Sequence, residues 1–428
     1  MELKKYKKKR IIPKGWKEIS IGDVFRTSSG ATPLTTEKEY YEGGDIPWVN
    51  SGELISPFVY KTSNHITQKG YENSSTEVYP INTVLVAMYG ATAGKVSMLK
   101  IEACTNQAIC AILPNVKFCP EFIKYSLDSL YEYLVGLSSG SARDNLSQAG
   151  LKKLKLVLPK TKREQNELIS ILSLLDRKIE LNKQINDNLE AMAKQLYDYW
   201  FVQFDFPNED GKPYRSSGGA MVWNEKLKRE IPQGWHCGTL LDIAEYTNGL
   251  ACQKYRPTDN NKLPVIKIKE MHDGLSADTE WVKADIPDDV KVFDGDVLFS
   301  WSASLEVMLW AYGNGGLNQH IFKVTSKNGY PRSFYFYQLI HYVGVFKQMA
   351  EARKTTMGHI TQDHLRQSTI ALPPNVDIAN KLEEKLCPFF DEIVKNNQEI
   401  MALTKQRDEL LPLLMNGQAT VNYHLFDD

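Results

Sequence analysis

The glycine-rich segment Gly90–Lys95 (GATAGK) has the residue types that hold nucleotide phosphates in other proteins. A phosphate-binding loop has four residues between its glycines and a Ser or Thr after its lysine to hold Mg²⁺. Here three residues separate the glycines and Val96 follows the lysine. The spacing therefore favours a glycine-supported turn between strands.

Two further segments resemble catalytic motifs in part. Pro287–Lys291 (PDDVK) has the residue types of a nuclease metal site, but no strand separates its carboxylates, which favours an exposed acidic turn. The string LPPNV (372–376) resembles an amino-methyltransferase motif, yet no aromatic residue follows to stack on a flipped base. Neither segment predicts an active site.

Metal, thiol and cofactor chemistry is equally unsupported. His320, His359 and His364 are interpreted as satisfied surface or loop histidines, and no GxGxxG after a strand, HExxH or GxSxG motif occurs. The six cysteines form no CxxC pair, which favours reduced thiols over disulfides or zinc. We therefore expect no catalytic residue, no metal and no cofactor bound by this chain.

Composition places the chain among soluble globular proteins of two or three domains, since 42% of its 428 residues are hydrophobic and 24% charged. It has no apolar run of 18 residues, and its basic N-terminus lacks the apolar segment of a signal peptide. We predict a cytoplasmic protein without a membrane partner. A net charge of −1 argues weakly against a stand-alone nucleic-acid binder, although a subunit of a complex can leave phosphate neutralisation to its partners.

A long helix is predicted from Thr161 to Val202, a stretch without Gly or Pro. A narrow apolar stripe of the coiled-coil kind runs along it, interrupted at Asn182, and calls for a partner helix. The stripe consists of Leu168, Leu172, Leu175, Ile179, Ile185, Leu189, Met192, Leu196 and Tyr199. The same pattern returns in Ile378–Met415 and is interrupted at Asn397, 215 positions later.

The helix is one part of an internal duplication. IPKGW (12–16) returns as IPQGW (231–235), TNQAICAI (105–112) as LNQHIFKV (317–324), and the LVLP that ends at Pro159 as the IALP that ends at Pro373. Short strands dominate each globular half, at Ile46–Asn50, Thr83–Met88, Lys95–Leu99, Ala108–Leu113, Val265–Lys269 and Val297–Trp301. Strands and helices do not alternate regularly, so we predict an α+β fold for each half.

Chain connectivity predicts how the parts are arranged. The ends of a compact domain lie close together, so the second helix should begin near the end of the first and run antiparallel to it. The fold class is then α+β, with two tandem-duplicated mixed domains separated by two long antiparallel coiled-coil helices in pseudo-two-fold symmetry. The predicted parts are a first domain (1–160), the first helix (161–202), a linker (203–230), a second domain (231–374), the second helix (375–417) and a tail (418–428).

Antiparallel pairing should bring the central residues Asn182 and Asn397 level with each other. A buried polar pair fixes the register of a coiled coil at some cost in stability. We therefore predict that these two asparagines set the register of the helix pair.

These features together resemble the specificity subunit of bacterial type I restriction-modification enzymes. The resemblance covers nearly the whole chain and is strongest over Arg163–Trp235, where the helix leads into WF (200–201), FPNEDGKPYRSSGG (206–219), MVWNE (221–225) and IPQGW. The second copy departs from it, since Ala379-Asn380 replaces Glu164-Gln165 and Met415-Asn416 replaces Trp200-Phe201.

The resemblance implies a non-catalytic DNA-recognition subunit. Each target-recognition domain would read one half of a bipartite site in double-stranded DNA, while the helices set the spacing and dock two methylation subunits. Those subunits would hold S-adenosylmethionine, and motor-nuclease restriction subunits would use ATP and Mg²⁺. The alternatives are a coiled-coil interaction scaffold and a fused methyltransferase or nuclease.

DNA contacts require Arg, Lys, Asn or Gln on groove-facing loops. The residues predicted to bind DNA are Asn50, Lys61, Tyr89, Lys95 and Arg143 in the first domain, and Lys254, Arg256, Lys267, Lys269 and Arg353 in the second.

Overall fold

A computed structural model describes residues 12–138, 146–276, 278–302, 304–352 and 360–419. The chain divides into two compact units, each of which includes part of both long helices. The first unit comprises residues 1–177 and 404–428, and the second comprises residues 178–403. No helix among the described residues is long and apolar enough to cross a membrane.

The described residues of the first unit form ten short strands, five short α-helices and the first part of a long helix. The strands are β1 (Trp16–Ser20), β2 (Thr27–Ser29), β3 (Ile46–Val49), β4 (Phe58–Val59), β5 (Asn64–Ile66), β6 (Val84–Ala87), β7 (Val96–Leu99), β8 (Cys104–Thr105), β9 (Ile109–Ile112) and β10 (Lys155–Pro159). The helices are α1 (Ile21–Val24), α2 (Gln68–Glu72), α3 (Pro120–Asp128), α4 (Tyr131–Ser138), α5 (Gln148–Lys153) and α6 (Lys162–Tyr197). We call the part from β1 to β10 the first head.

The second unit repeats this series. Its strands are β11 (Met221–Asn224), β12 (Arg229–Pro232), β13 (His236–Gly238), β14 (Ala244–Asn248), β15 (Lys262–Ile266), β16 (Trp281–Lys283), β17 (Lys291–Val292), β18 (Val297–Ser300), β19 (Glu306–Leu309), β20 (Gly315–Leu317), β21 (Ile321–Ser326) and β22 (Ile370–Leu372). Its helices are α7 (Leu240–Ile243), α8 (Ile268–Asp273), α9 (Arg332–Ala352), α10 (Gln362–Gln367) and α11 (Asp377–Met415). We call the part from β13 to β22 the second head.

Corresponding strands follow the same order in the two heads, although among the described residues β4 has no counterpart in the second head and β17 has none in the first. The first has sheets β2-β9-β6-β7-β4 and β5-β3-β8, and the second has β14-β21-β18-β19 and β16-β15-β20-β17. The first and last strands of each head also pair, β1 with β10 and β13 with β22. The sheets β5-β3-β8 and β16-β15-β20-β17 each contain one parallel pair, β3 with β8 and β15 with β20. The mixed α+β fold and the duplication predicted from the sequence are therefore confirmed.

Some elements differ from the predicted ones. The strand expected over Val265–Lys269 ends at Ile266, and helix α8 begins two residues later. The expected linker 203–230 contains strand β11 and the first residues of β12, which pair as an antiparallel hairpin. Before that hairpin, the ring of Phe204 is fully buried and lies beneath the Arg229 guanidinium, 4.5 Å from ring centroid to Cζ. This segment belongs to the packed core of the second unit.

Each unit by itself shows the two long helices running antiparallel, as the sequence predicted. In the first unit, the start of α6 and the end of α11 share one apolar core, with Leu168 and Leu172 on one helix and Leu414 and Met415 on the other. In the second, α6 continues as a π-helical turn, Asp198–Val202, whose aromatic rings enter the core beside Leu382 and Leu386 of α11.

A buried polar network anchors the long helices to the first head. Asp176 of α6 accepts hydrogen bonds from the Tyr125 hydroxyl of α3 at 2.6 Å and from Arg407 Nη1 of α11 at 3.0 Å. Lys124 Nζ lies 2.8 Å from Asp128 Oδ2 and 3.8 Å from Asp176 Oδ2. Burial and the Asp176 carboxylate raise the pKa of the Tyr125 hydroxyl, which therefore stays protonated as a donor.

Candidate nucleic-acid interface

An Asn-Gln turn follows the parallel strand pair in the first head. The backbone N–H of Asn106 donates to the Val49 carbonyl at 3.0 Å, and the backbone N–H of Ala108 donates to the side-chain oxygen Asn106 Oδ1 at 3.1 Å. The asparagine is almost fully buried, and its backbone and side chain are both used internally. These bonds hold the backbone on both sides of Gln107.

The second head has the same turn. The Asn318 N–H donates to the Ile266 carbonyl at 3.1 Å, and the His320 N–H donates to Asn318 Oδ1 at 3.3 Å. The intervening residue, Gln319, therefore has the same backbone supports as its counterpart in the first head. Two heads of different sequence thus keep one polar turn at one place in the fold.

A glycine packs against each turn. A Cβ atom on Gly30 would lie 1.9 Å from the Thr105 carbonyl oxygen, and one on Gly249 would lie 2.3 Å from the Asn318 carbonyl oxygen. Any larger residue would push on backbone atoms, which cannot move aside as a flexible side chain would. Glycine is therefore required for this close approach.

The glutamines are the accessible part of these turns. Gln107 is exposed, and its Oε1 accepts a hydrogen bond from the Thr32 hydroxyl. Gln319 is partly exposed, with its Nε2 at 3.3 Å from His320 Nε2. Neither glutamine was among the residues predicted to bind DNA. The signal that could have found them is the Asn-Gln pair in both copies of the duplication.

The position beside each turn differs between the heads. Asn50 follows β3 and caps a short 3₁₀ helix, since its Oδ1 accepts from the Gly52 N–H at 3.2 Å and lies 3.4 Å from Asn106 Nδ2. Its counterpart after β15 is Lys267, whose Nζ is 2.6 Å from Glu280 Oε1. One scaffold position thus holds a neutral amide in the first head and an ion-paired ammonium in the second.

The remaining predicted DNA-binding residues lie in different surroundings. Lys61, Lys254 and Arg256 are exposed, and Tyr89 is 50% exposed after β6. Lys95 Nζ lies 4.6 Å from the centroid of the Tyr131 ring, and Lys269 Nζ lies 3.9 Å from Asp278 Oδ2. Arg143 and Arg353 lie outside the described residues, as does His359.

The segments that resembled catalytic motifs form short turns. Gly90–Lys95 connects the antiparallel strands β6 and β7, with the Gly94 N–H donating to the Ala87 carbonyl at 2.9 Å. Asp288–Val290 is a 3₁₀ turn in which Asp288 pairs with Lys291 at 2.7 Å. Over the described part of the chain, no three His, Cys, Asp or Glu residues are grouped so that they could hold a metal ion.

The predicted register residues have different partners from those expected. In the second unit, Asn182 Nδ2 donates to Glu399 Oε2 at 2.8 Å. Asn397 instead accepts from Asn186 Nδ2, also at 2.8 Å, and the Asn186 Oδ1 accepts from Asn396 Nδ2 at 2.9 Å. The structure therefore places both predicted asparagines at the helix pair but gives each a different partner.

Comparison with known proteins gives concordant results. The family model described as the type I restriction modification DNA specificity domain matches residues 13–191 and 232–405. The MjaIX specificity subunit of Methanocaldococcus jannaschii is 29% identical over 426 residues, covering 96% of this chain and 95% of that protein. The HindI specificity subunit of Haemophilus influenzae is 21% identical and covers 94% and 99%.

A solved structure shares the fold. It is the crystal structure of a type I restriction-modification system S subunit from M. genitalium, with a TM-score of 0.54 and 16% identity. The match covers 95% of this chain and 97% of that one.

Proposed function

The chain belongs to the type I restriction-modification DNA specificity family, and from this premise we propose that its two heads read the two halves of a bipartite DNA site. The chain is a non-catalytic DNA-recognition subunit. In this proposal residues 1–160 and 231–374 are the two target-recognition domains, and the long helices set the number of base pairs between the half-sites. The tail, 418–428, is assigned no role.

The observation that carries the proposal is that both heads have the same Asn-Gln turn but different side chains beside it. Both heads hold an Asn-Gln turn by the same backbone contacts, while the adjacent position is Asn50 in one and Lys267 in the other. A common scaffold with different side chains suits two half-sites that differ in sequence, because base edges are distinguished by their donor and acceptor patterns.

The predicted DNA-binding residues divide into two roles. Lys61, Lys254 and Arg256 are exposed and cationic, which suits phosphate contacts that fix the orientation of the head. Asn50, Tyr89, Lys95, Lys267 and Lys269 would lie nearer the bases or support the loops, and Arg143 and Arg353 remain proposals from sequence.

Helix α6 offers a surface for a partner in the second unit. Leu181, Ile185 and Met192 are 53%, 37% and 54% exposed and share one face at helical spacing, away from the buried residues Asn182 and Asn186. Exposed apolar side chains in such a row suit a partner helix. We propose that methylation subunits dock on the helix pair and that S-adenosylmethionine, ATP and Mg²⁺ are held by partner subunits.

Methylation mapping tests this function. The chain is co-expressed with its methylation subunit in a host without adenine methylation, and the methylated adenines are located by sequencing. One motif made of two specified parts and an unspecified gap is the expected result. A motif in one continuous part would contradict the bipartite site. Footprinting of the complex on DNA gives a second measurement, and the absence of a protected bipartite site would favour an interaction scaffold. Tight one-to-one S-adenosylmethionine binding by the isolated chain would favour a fused methyltransferase.

Domain exchange tests whether each head reads its own half of the DNA motif. Replacing residues 12–160 with the corresponding domain of a relative should change one half of the motif, and replacing residues 231–374 should change the other. A change in both halves after either exchange contradicts the modular reading of the site. Both chimaeras keep the helix pair, so the gap should stay the same length.

A further inference from the structure

The duplication provides an internal comparison that points to one side chain in each head. Gln107 and Gln319 follow equivalent asparagines, and the backbone on both sides of each is held by equivalent hydrogen bonds. The residues around them differ, as at Asn50 and Lys267. The glutamine side chain makes none of these backbone-holding bonds, yet a glutamine is present at this accessible position in both heads.

Each turn fixes the backbone from which its glutamine projects. The hydrogen bonds of the buried asparagine hold the backbone before and after the glutamine. The close approach of Gly30 to Thr105, or of Gly249 to Asn318, adds support just before it. In the first head, the Thr32 hydroxyl donates to Gln107 Oε1, which orients the amide plane. A group held in this way loses little conformational freedom on binding.

The chemistry of the amide favours a base edge over a phosphate. A glutamine amide can donate to a phosphate oxygen, but that contact releases no counterion, and the phosphate offers no donor to the amide carbonyl oxygen. A glutamine amide has one donor group and one acceptor in a plane, and this pattern pairs with N7 and the N6 amino group of adenine. Gln107 Oε1 has two lone pairs, so it can accept from the Thr32 hydroxyl and from an adenine amino group at the same time.

We propose that Gln107 and Gln319 each read a base in the major groove, with adenine as the preferred partner. The inference rests on the proposed function, since it names the contact by which each head would read its half-site. Gln107 then determines one base pair of one half-site, and Gln319 determines the corresponding base pair of the other.

The experiment uses the full chain in complex with its methylation subunit, acting on a plasmid library with randomised sequence. The wild-type motif is read from the methylated plasmids, and Gln107→Ala and Gln319→Ala are compared with it. Each variant should lose about tenfold or more of the preference at one base pair. That base pair should lie in a different half-site for each variant.

A second substitution distinguishes direct contact of Gln107 with a base from a purely structural role in the turn. Gln107→Glu keeps the side-chain shape and the acceptor for Thr32, but it removes the donor that adenine N7 requires. Since a carboxylate accepts from the cytosine amino group, preference at that position should move from adenine towards cytosine. This variant also serves if Gln107→Ala fails to fold. The matched control is Gln68→Ala, an exposed glutamine of the same head whose amide already bonds to Glu72 at 2.8 Å.

Three results would overturn the inference. These are an unchanged motif in both glutamine variants, relaxation of both half-sites by one variant, and a uniform loss of binding with the motif intact, which marks a phosphate contact. A wild-type complex without a bipartite motif would instead overturn the proposed function. The two failures are therefore distinguishable in the same experiment.

Discussion

Asn186 and Asn397 are hydrogen-bonded across the two long helices of the second unit, from Nδ2 to Oδ1 at 2.8 Å. The sequence predicted that Asn182 would be the partner, which lies one helical turn earlier and bonds to Glu399 instead. Asn182, Asn186 and Asn396 are each at most 6% exposed. The centre of this seam is therefore polar, and a polar seam specifies one register because a slipped pair would leave buried amides unpaired.

The asparagine pair should show energetic coupling. Asn186→Leu alone leaves the Asn397 and Asn396 amides without their partner and should cost about 1–3 kcal/mol. The double variant Asn186→Leu/Asn397→Leu should cost less than the two single changes added together. Urea unfolding of the four proteins measures this coupling. Strictly additive losses would show that the bond has no role in the seam.

Removing Asp176 should destabilise the protein strongly. Asp176→Ala leaves Tyr125, Lys124 and Arg407 without their shared buried acceptor, and breaking such a group typically costs about 3–5 kcal/mol. Asp408→Asn is the control, because Asp408 is well exposed and pairs with the same arginine. It should cost no more than about 1 kcal/mol. Equal thermal shifts for the two variants would contradict a structural role for the buried network.

The glycines at the turns should not tolerate a methyl group. Gly30→Ala and Gly249→Ala force a Cβ onto carbonyl oxygens and should each cost about 1–3 kcal/mol. Gly344→Ala is the opposite case, since this exposed glycine of α9 has no atom within 4 Å of the added group. It should stabilise the helix by about 1 kcal/mol. Calorimetry of the three variants measures the predicted losses of stability and the predicted gain.

Acid should weaken the helix pair through Glu399. Hydrogen bonds from Lys178 and Asn182 hold the pKa of the Glu399 carboxyl below its ordinary value of 4.5. A lowered pKa in the folded state adds stability above about pH 4.5 and loses it as the pH falls through the folded-state pKa. Between pH 6 and pH 3, the unfolding midpoint of Glu399→Gln should therefore fall less than that of the wild type. Parallel curves would show no contribution from this carboxylate.

Phosphate contacts should appear in the salt dependence of DNA binding. Lys61→Ala, Lys254→Ala and Arg256→Ala should each reduce the slope of log K against log salt by about one, without altering the motif. Lys228→Ala removes a lysine that pairs with Glu225 on the β11–β12 hairpin, and it should leave the slope unchanged. Titration of a DNA duplex at several salt concentrations measures these slopes.

Local patterns were enough to predict much of this protein. Helices α6 and α11 follow from the spacing of their apolar residues, and α6 also lacks Gly and Pro. Strands β3, β6, β7, β9 and β18 follow from short apolar runs between turn residues. The duplication follows from repeated phrases in the same order. These features depend on neighbouring residues, and such information is present in the sequence itself.

The tertiary structure decided which residues meet. Leu181, Ile185 and Met192 are apolar yet exposed, whereas Asn182 and Asn186 are polar yet buried. Packing within the second unit decides which face of α6 is turned towards α11 there. The Asn-Gln turns became candidate reading elements only when strand pairing placed Asn106 beside Val49 and Asn318 beside Ile266. These two contacts join residues 57 and 52 positions apart, and no local pattern specifies them. Sequence determined the parts and their order, and long-range pairing determined the surfaces they present.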